Sequence, residues 1–232
     1  MSSVRADDRD RDDDGKFQVV PRTYDPADTD LAQAAWLSGI GCPTNAGIST
    51  TGGKKPDTTY TDPACATGDT RDRENQGLLL AKTGPTGNYA AGVADIKGLP
   101  KNMPLKELGY DIREPGVNNN DPRGSHCGAG APRFNVTTSA DSYFIGCNSP
   151  PPNTQTPGNG WLRLRWGTGA AGSVMGYSAT SGLLVPVTGN VQNVQIVMDE
   201  GQDTGPDNFG LSVLDNIDIN GVLVGRGPSA PH

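Results

Sequence analysis

A chain of 232 residues with a net charge of −7, a hydrophobic fraction of 34 % and a mean hydropathy of −0.51 holds no apolar run of about 18 residues, which excludes a membrane-spanning helix. Its acidic balance carries no basic stripe, which argues against nucleic acid as a partner. The 32 Gly and 19 Pro are spread between short apolar runs, the punctuation of many short strands joined by turns.

Residues 1–15 include the acidic run Asp7–Asp14 and no aromatic residue, and read as a disordered tail. No apolar h-region lies near Met1, so a secreted protein would be read here in mature or trimmed form. The first strand is expected at Phe17–Val20. Leu31–Leu37 (LAQAAWL) fits either a strand or a short helix capped by Asp30. Gly77–Lys82 (GLLLAK) suits a buried strand, and Ala90–Ile96 and Glu107–Ile112 are weaker candidates.

The four cysteines fall as Cys42 with Cys65 and Cys127 with Cys147. Three connectivities are open, and the sequential one is favoured. Cys42 and Cys65 would close a polar, turn-rich loop almost without core residues of its own. Cys127 and Cys147 would bracket a strand pair, Arg133–Thr138 and Ser142–Cys147, joined by a Ser-Ala-Asp turn. Each closure would contribute about 3 kcal/mol by chain entropy. Zinc is disfavoured because no C-x-x-C occurs and His126 beside Cys127 has no second histidine near it. Disulfides place the protein in an oxidising, extracellular setting; a cytosolic protein with four thiols is the alternative.

The second half has the clearer pattern. Trp161–Trp166 (WLRLRW) alternates, with Leu162, Leu164 and Trp166 on one face and Trp161, Arg163 and Arg165 on the other. Leu183–Val187 is a short apolar run in which Pro186 argues for an edge or a bulge. Val194, Ile196 and Met198 alternate with Gln195 and Val197. Ile217 and Ile219, then Val222 and Val224, flank Asn220-Gly221, the dipeptide of a type I′ hairpin turn. About ten strands result, without internal repeats. The expected fold is all-β: a two-sheet antiparallel sandwich, jelly-roll-like, with long loops and at most one short helix. Residues 16–228 would form a single domain, with tails at 1–15 and 229–232.

Several segments resemble those of uncharacterised secreted bacterial proteins: ENQGLLLAKTGPTGN (Glu74–Asn88), GSHCGAGAPRFNV (Gly124–Val136), YFIGCNSPPP (Tyr143–Pro152), WLRLRW, and VMDEGQDTGPDNFGLSVLDNIDING (Val197–Gly221). The resemblance spans most of residues 74–225 and implies no particular activity. Leu214–Ile219 (LDNIDI) is also similar to the closing strand of jelly-roll carbohydrate-binding modules and MAM-type adhesion domains, which bears on fold more than on function.

Candidate sites follow from residue chemistry. Trp161 with Arg163 and Arg165 would form the polar face of its strand, where an exposed indole stacks on a sugar ring and the arginines bond hydroxyls. The plainer reading covers this strand with a loop and pairs the arginines with the acidic C-terminal segment. Tyr110, Tyr143 and Tyr177 are weaker candidates for the same stacking role. Calcium takes roughly six to eight oxygen ligands, and Asp199, Glu200, Asp203, Asp207 and Asp215 supply carboxylates on or beside one Gly-rich loop. Without EF-hand spacing, a solvated acidic loop is the plainer account. His126 lacks a nucleophile or motif that would make it catalytic. Glu74, Glu107, Glu114 and Glu200 stand in no recognisable hydrolase context. Asn135-Val136-Thr137 fits a glycosylation sequon inside an expected strand and is read as incidental.

The chain is therefore expected to be a non-catalytic extracellular domain that binds a polysaccharide or a cell-surface component. The alternative is a structural subunit of a fibre, coat or surface layer, assembled from copies of itself by strand addition. A carboxylate-dependent hydrolase is a third class. Nucleic acid and membrane insertion are not expected.

Overall fold

A computed structural model describes residues 16–44, 46–48, 58–60, 62–84, 89–114, 127, 130–155, 160–167, 173–200 and 209–228. The first half holds β1 (Gln18–Tyr24), β2 (Ala32–Leu37), β3 (Ala46–Ile48), β4 (Thr58–Tyr60), β5 (Gly77–Thr83), β6 (Ala91–Lys97) and β7 (Leu108–Arg113). The second half holds β8 (Arg133–Thr138), β9 (Ser142–Gly146), β10 (Asn153–Thr154), β11 (Leu162–Trp166), β12 (Met175–Ser178) and β13 (Leu184–Pro186), then β14 (Val191–Met198), β15 (Phe209–Ile219) and β16 (Val222–Val224). A 3-10 turn at Pro63–Cys65 is capped by the Asp62 side chain accepting from the Ala64 N–H at 2.9 Å, and Cys127 is also helical. Among the described residues no helix is long and apolar enough to cross a membrane.

Two antiparallel sheets make the sandwich. The first runs β1-β6-β14-β8-β9-β12-β13, and the second β10-β11-β7-β15-β5-β2 with β16 paired to β15. The chain changes sheet repeatedly, so neighbours in sequence often face each other across the core, as in a jelly roll. Period-two alternation sends one side of each strand inward. Val19, Ala94, Ile96, Phe134, Val136, Tyr143, Ile145, Val194 and Ile196 come from the first sheet. Leu78, Leu80, Leu108, Tyr110, Ile112, Leu162, Leu164, Trp166, Leu214, Ile217 and Ile219 meet them from the second. Tyr110, Phe134 and Trp166 form an aromatic knot with centroids 5.2–5.9 Å apart. The polar tips of two of them are satisfied: Tyr110 Oη donates to the Pro132 carbonyl at 2.9 Å and Trp166 Nε1 to that of Pro150 at 2.8 Å. Such tips must find partners once buried.

Both sequential disulfides are present, Cys42–Cys65 and Cys127–Cys147, with Cα–Cα distances of 6.0 and 5.3 Å. Asn220 and Gly221 have φ of 53° and 83°, the two positive values a type I′ turn requires. Leu31–Leu37 resolves to strand rather than helix, because β2 pairs along its whole length with β5, Ala32 to Lys82 through Leu37 to Gly77. Asp30 caps nothing: at φ 55° it donates its N–H to Asp25 Oδ2 at 2.7 Å inside a tight turn. Sixteen strands among the described residues exceed the expected ten or so. β3, β4, β10 and β12 are too short to show a period.

Candidate binding face

The outer face of the second sheet carries the residues that the β11 alternation singled out. Register sets them in two rows across the sheet: Arg163–Asp111–Asp215, and Arg165–Gly109–Asp218. On β7 and β11 the rows are two residues apart, as one face demands, yet Asp215 and Asp218 are three apart. A β-bulge between them, with Asn216 at φ 45°, absorbs the extra residue and keeps both carboxylates outward. Gly109 is required here, since a Cβ would collide with the Arg165 side chain crossing toward Asp218.

Arg163 donates from Nε and Nη2 to the two Asp111 oxygens at 2.7 and 2.8 Å, and from Nη1 to Thr67 Oγ1 at 2.7 Å; Nη2 also meets the Thr67 carbonyl. Arg165 Nε pairs with Asp218 at 2.9 Å, and its Nη2 stands 3.5 Å from Asp111. Asn216 Nδ2 donates to Asp111 at 2.8 Å while its Oδ1 accepts from the Asp69 N–H at 2.9 Å. Asp215 accepts from the Cys42 N–H at 2.7 Å and from the Asn216 N–H at 2.5 Å. Cys42, Thr67 and Asp69, with the Cys42–Cys65 disulfide between them, thus lie over this face and join its hydrogen-bond network.

Burial dominates the titration of the network. Desolvation, then the Asp111 charge, pushes the Asp215 carboxyl well above its ordinary range. Desolvation also raises Asp218 against the Arg165 charge, and raises Glu107 with help from Asp218. The same desolvation lowers Arg165 despite Asp111 and Asp218. For Arg163 it is outweighed by the bonds it donates to Asp111 and by that carboxylate's charge, and the guanidinium moves up.

This overturns the exposed-platform expectation for β11. Trp161 is 2 % exposed, packed with Cys42, Ala64, Cys65 and Val213, while Arg163 and Arg165 are buried. The plainer reading of these arginines holds in part: Arg165 pairs with Asp218 of the C-terminal segment, but Arg163 pairs with Asp111 of β7. Tyr110 and Tyr143 are buried in the core. Of the expected calcium ligands, Asp199 and Asp215 are not brought together: Asp199 is held by Arg133 at the first sheet, and Asp215 is buried against the Cys42 N–H at the second. Asp203, Asp207 and His126 lie outside the described residues, as do both proposed tails. Cys42, Cys65 and Asp111 converge, but the disulfide leaves no thiolate to ligate a metal.

The outer face of the first sheet is different. Cross-strand register lines up Asp95, Gln195, Asn135, Phe144, Tyr177 and Leu184 in one row over β6, β14, β8, β9, β12 and β13. Residues directly opposite share a face, so the row runs from polar at its centre to apolar at its edge. Asp95 is tied to Gln195 Nε2 at 2.7 Å and to Arg22 at 3.1 Å. Phe144 is 40 %, Tyr177 36 % and Leu184 41 % exposed, and with strands about 4.8 Å apart this apolar stretch is about 10 Å long.

Beside it opens a shallow cavity of about 310 Å³, lined among others by Arg133, Phe144, Asn148, Ser149 and Tyr177, with Cys127 on its wall. The Cys127–Cys147 bridge holds this wall, and Gly146 lets the Gly130 carbonyl approach within 3.0 Å of where a Cβ would sit. Tyr177 Oη and Ser149 Oγ are hydrogen-bonded at 2.8 Å. The Arg133 guanidinium stands 6.0 Å from the Phe144 ring centroid, a cation–π distance. Aromatic faces flanked by hydroxyl and amide groups can take an amphipathic ring, apolar on one side and hydroxylated at its edge. Tyr177 is the one sequence candidate for stacking that the fold leaves open; Phe144 was missed.

The class that fold and site define is a disulfide-stapled β-sandwich with one sealed outer face and one that is open over β9, β12 and β13, while Val93, Asp95 and Val197 at its other end are buried. No protein-family model, curated protein or solved structure matches the chain.

Proposed function

We propose that this protein is a non-catalytic extracellular domain that binds a polysaccharide through the open face of its first sheet. The observation that carries the reading is the exposed row Phe144–Tyr177–Leu184 beside the Arg133–Ser149 cavity. Tyr and Phe supply large contact area at small entropic cost, which suits them as anchors for a ring-shaped ligand. Two disulfides support an oxidising, extracellular setting. The likeness of Leu214–Ile219 to jelly-roll carbohydrate-binding modules is in keeping with this assignment. At the β13 edge the self-assembling alternative draws less support, because this strand has three residues and carries Pro186, both of which blunt strand addition. It would have to act through the longer edge strands β1 or β2.

The test is electrophoresis through gels holding a panel of soluble polysaccharides, alongside sedimentation with insoluble ones. At least one glycan should retard or sediment the wild-type protein. Phe144→Ala with Tyr177→Ala should abolish this while far-ultraviolet circular dichroism stays unchanged. Absence of retention on every glycan, or regular assemblies by electron microscopy, would overturn the reading.

A further inference from the structure

The cation lining the cavity is already committed. Arg133 donates from Nη1 and Nη2 to the two oxygens of Asp199, both at 2.6 Å, and from Nε to Asn135 Oδ1 at 3.1 Å. A bidentate carboxylate partner matches both the charge and the fork geometry of a guanidinium. The next cations along the face are committed too: Arg22 and Lys97 both stand against Asp95, at 3.1 and 3.4 Å. At the hairpin joining β8 to β9, Asp141 accepts from the Ser178 and Thr180 hydroxyls and from the Ser142 N–H, bonds that hold its carboxyl below the ordinary range. The face thus offers aromatic rings, hydroxyls and amides, with each of its described cations against a carboxylate, Arg22 and Lys97 sharing Asp95, and an ionised carboxylate at its end.

Resting on the binding reading above, we infer that the ligand of this face is a neutral glycan, and that the Arg133–Asp199 pair selects against uronate and sulfated glycans. An anionic sugar brought to Arg133 would have to displace Asp199 or share its charge, and like charges brought together in a binding site cost affinity. A neutral ring stacks on Phe144 and Tyr177 and leaves the pair intact. Arg133 then acts by packing its planar group beside Phe144 rather than as an anion receptor.

The test compares neutral glucan, xylan and chitin with polygalacturonate and a sulfated glycan, for wild type and Asp199→Ala. Wild type should be retained on a neutral glycan and at least about tenfold less on the anionic ones, a difference of about 1.4 kcal/mol. Asp199→Ala should gain retention on polygalacturonate by freeing the guanidinium. If that variant does not fold, the salt dependence of wild-type retention decides instead. Retention should change less than about twofold up to about 0.5 M NaCl, where charge-driven contacts at the surface are screened. Equal or stronger binding of wild type to an anionic glycan, or steep loss with salt, overturns the neutral preference and leaves glycan binding standing. Absence of binding to any glycan overturns both.

Discussion

The two outer faces of the sandwich begin from similar ingredients, arginines and carboxylates interleaved with aromatics, and end in opposite states. On the second sheet Cys42, bridged to Cys65, and Thr67 cover the strands and draw Arg163, Asp111, Asn216 and Asp215 into a buried network. On the first sheet the Cys127–Cys147 bridge holds one wall of a cavity and leaves Phe144 and Tyr177 in solvent. A disulfide of similar span, 23 residues in one case and 20 in the other, thus closes one face and frames the other. What a bridge does depends on what its loop lies over.

The sharpest way to break the contrast is to unbalance the covered face. Arg163→Met strands Asp111 without its bidentate partner and should cost about 3–5 kcal/mol, the usual penalty for an uncompensated buried charge, measured by urea denaturation. Cys42→Ser with Cys65→Ser should cost about 3 kcal/mol and leave Trp161 open to quenching by acrylamide. On the open face the pattern reverses. Phe144→Ala and Tyr177→Ala should each change stability by less than about 1 kcal/mol, as exposed positions do, yet weaken glycan retention severalfold.

The smallest effect is in pH. A carboxyl raised on folding contributes stability that is complete below its unfolded value of about 3.9 and is lost as pH rises through the folded value. Asp215 is such a group. Asp215→Asn removes that loss, so its stability relative to wild type should climb as pH rises above about 4, whatever constant offset the new amide brings. A difference that does not vary with pH would show that Asp215 ionises as freely in the folded protein as in the unfolded chain.

Much of this architecture was legible in the residues. The two cysteine pairs, the Asn220-Gly221 turn and the β8–β9 hairpin each rest on local chemistry and stand as expected. The alternation of WLRLRW was legible too, but alternation tells which residues share a face and not what covers it. The cover over Arg163 comes from Thr67, 96 residues away, and its charge partner Asp111 is defined only by strand register. The bulge that turns Asp215 and Asp218 to one side has no sequence signature in an unaligned chain. Phe144 lies between Tyr143 and Ile145 and reads as core. Counting back through the hairpin pairs it with Asn135, opposite in sense to Phe134 and Val136, so the signal was present but needed the register.

The central claim is that binding belongs to the open face and the covered face is structural. Amide chemical-shift mapping with the best-retained glycan tests this directly. The account predicts perturbations concentrated at Phe144, Tyr177, Leu184, Arg133 and Ser149, with Thr67, Asp111, Trp161 and Arg163 unmoved. Shifts clustered at Thr67, Trp161 and Arg163, with Phe144 and Tyr177 silent, would contradict it.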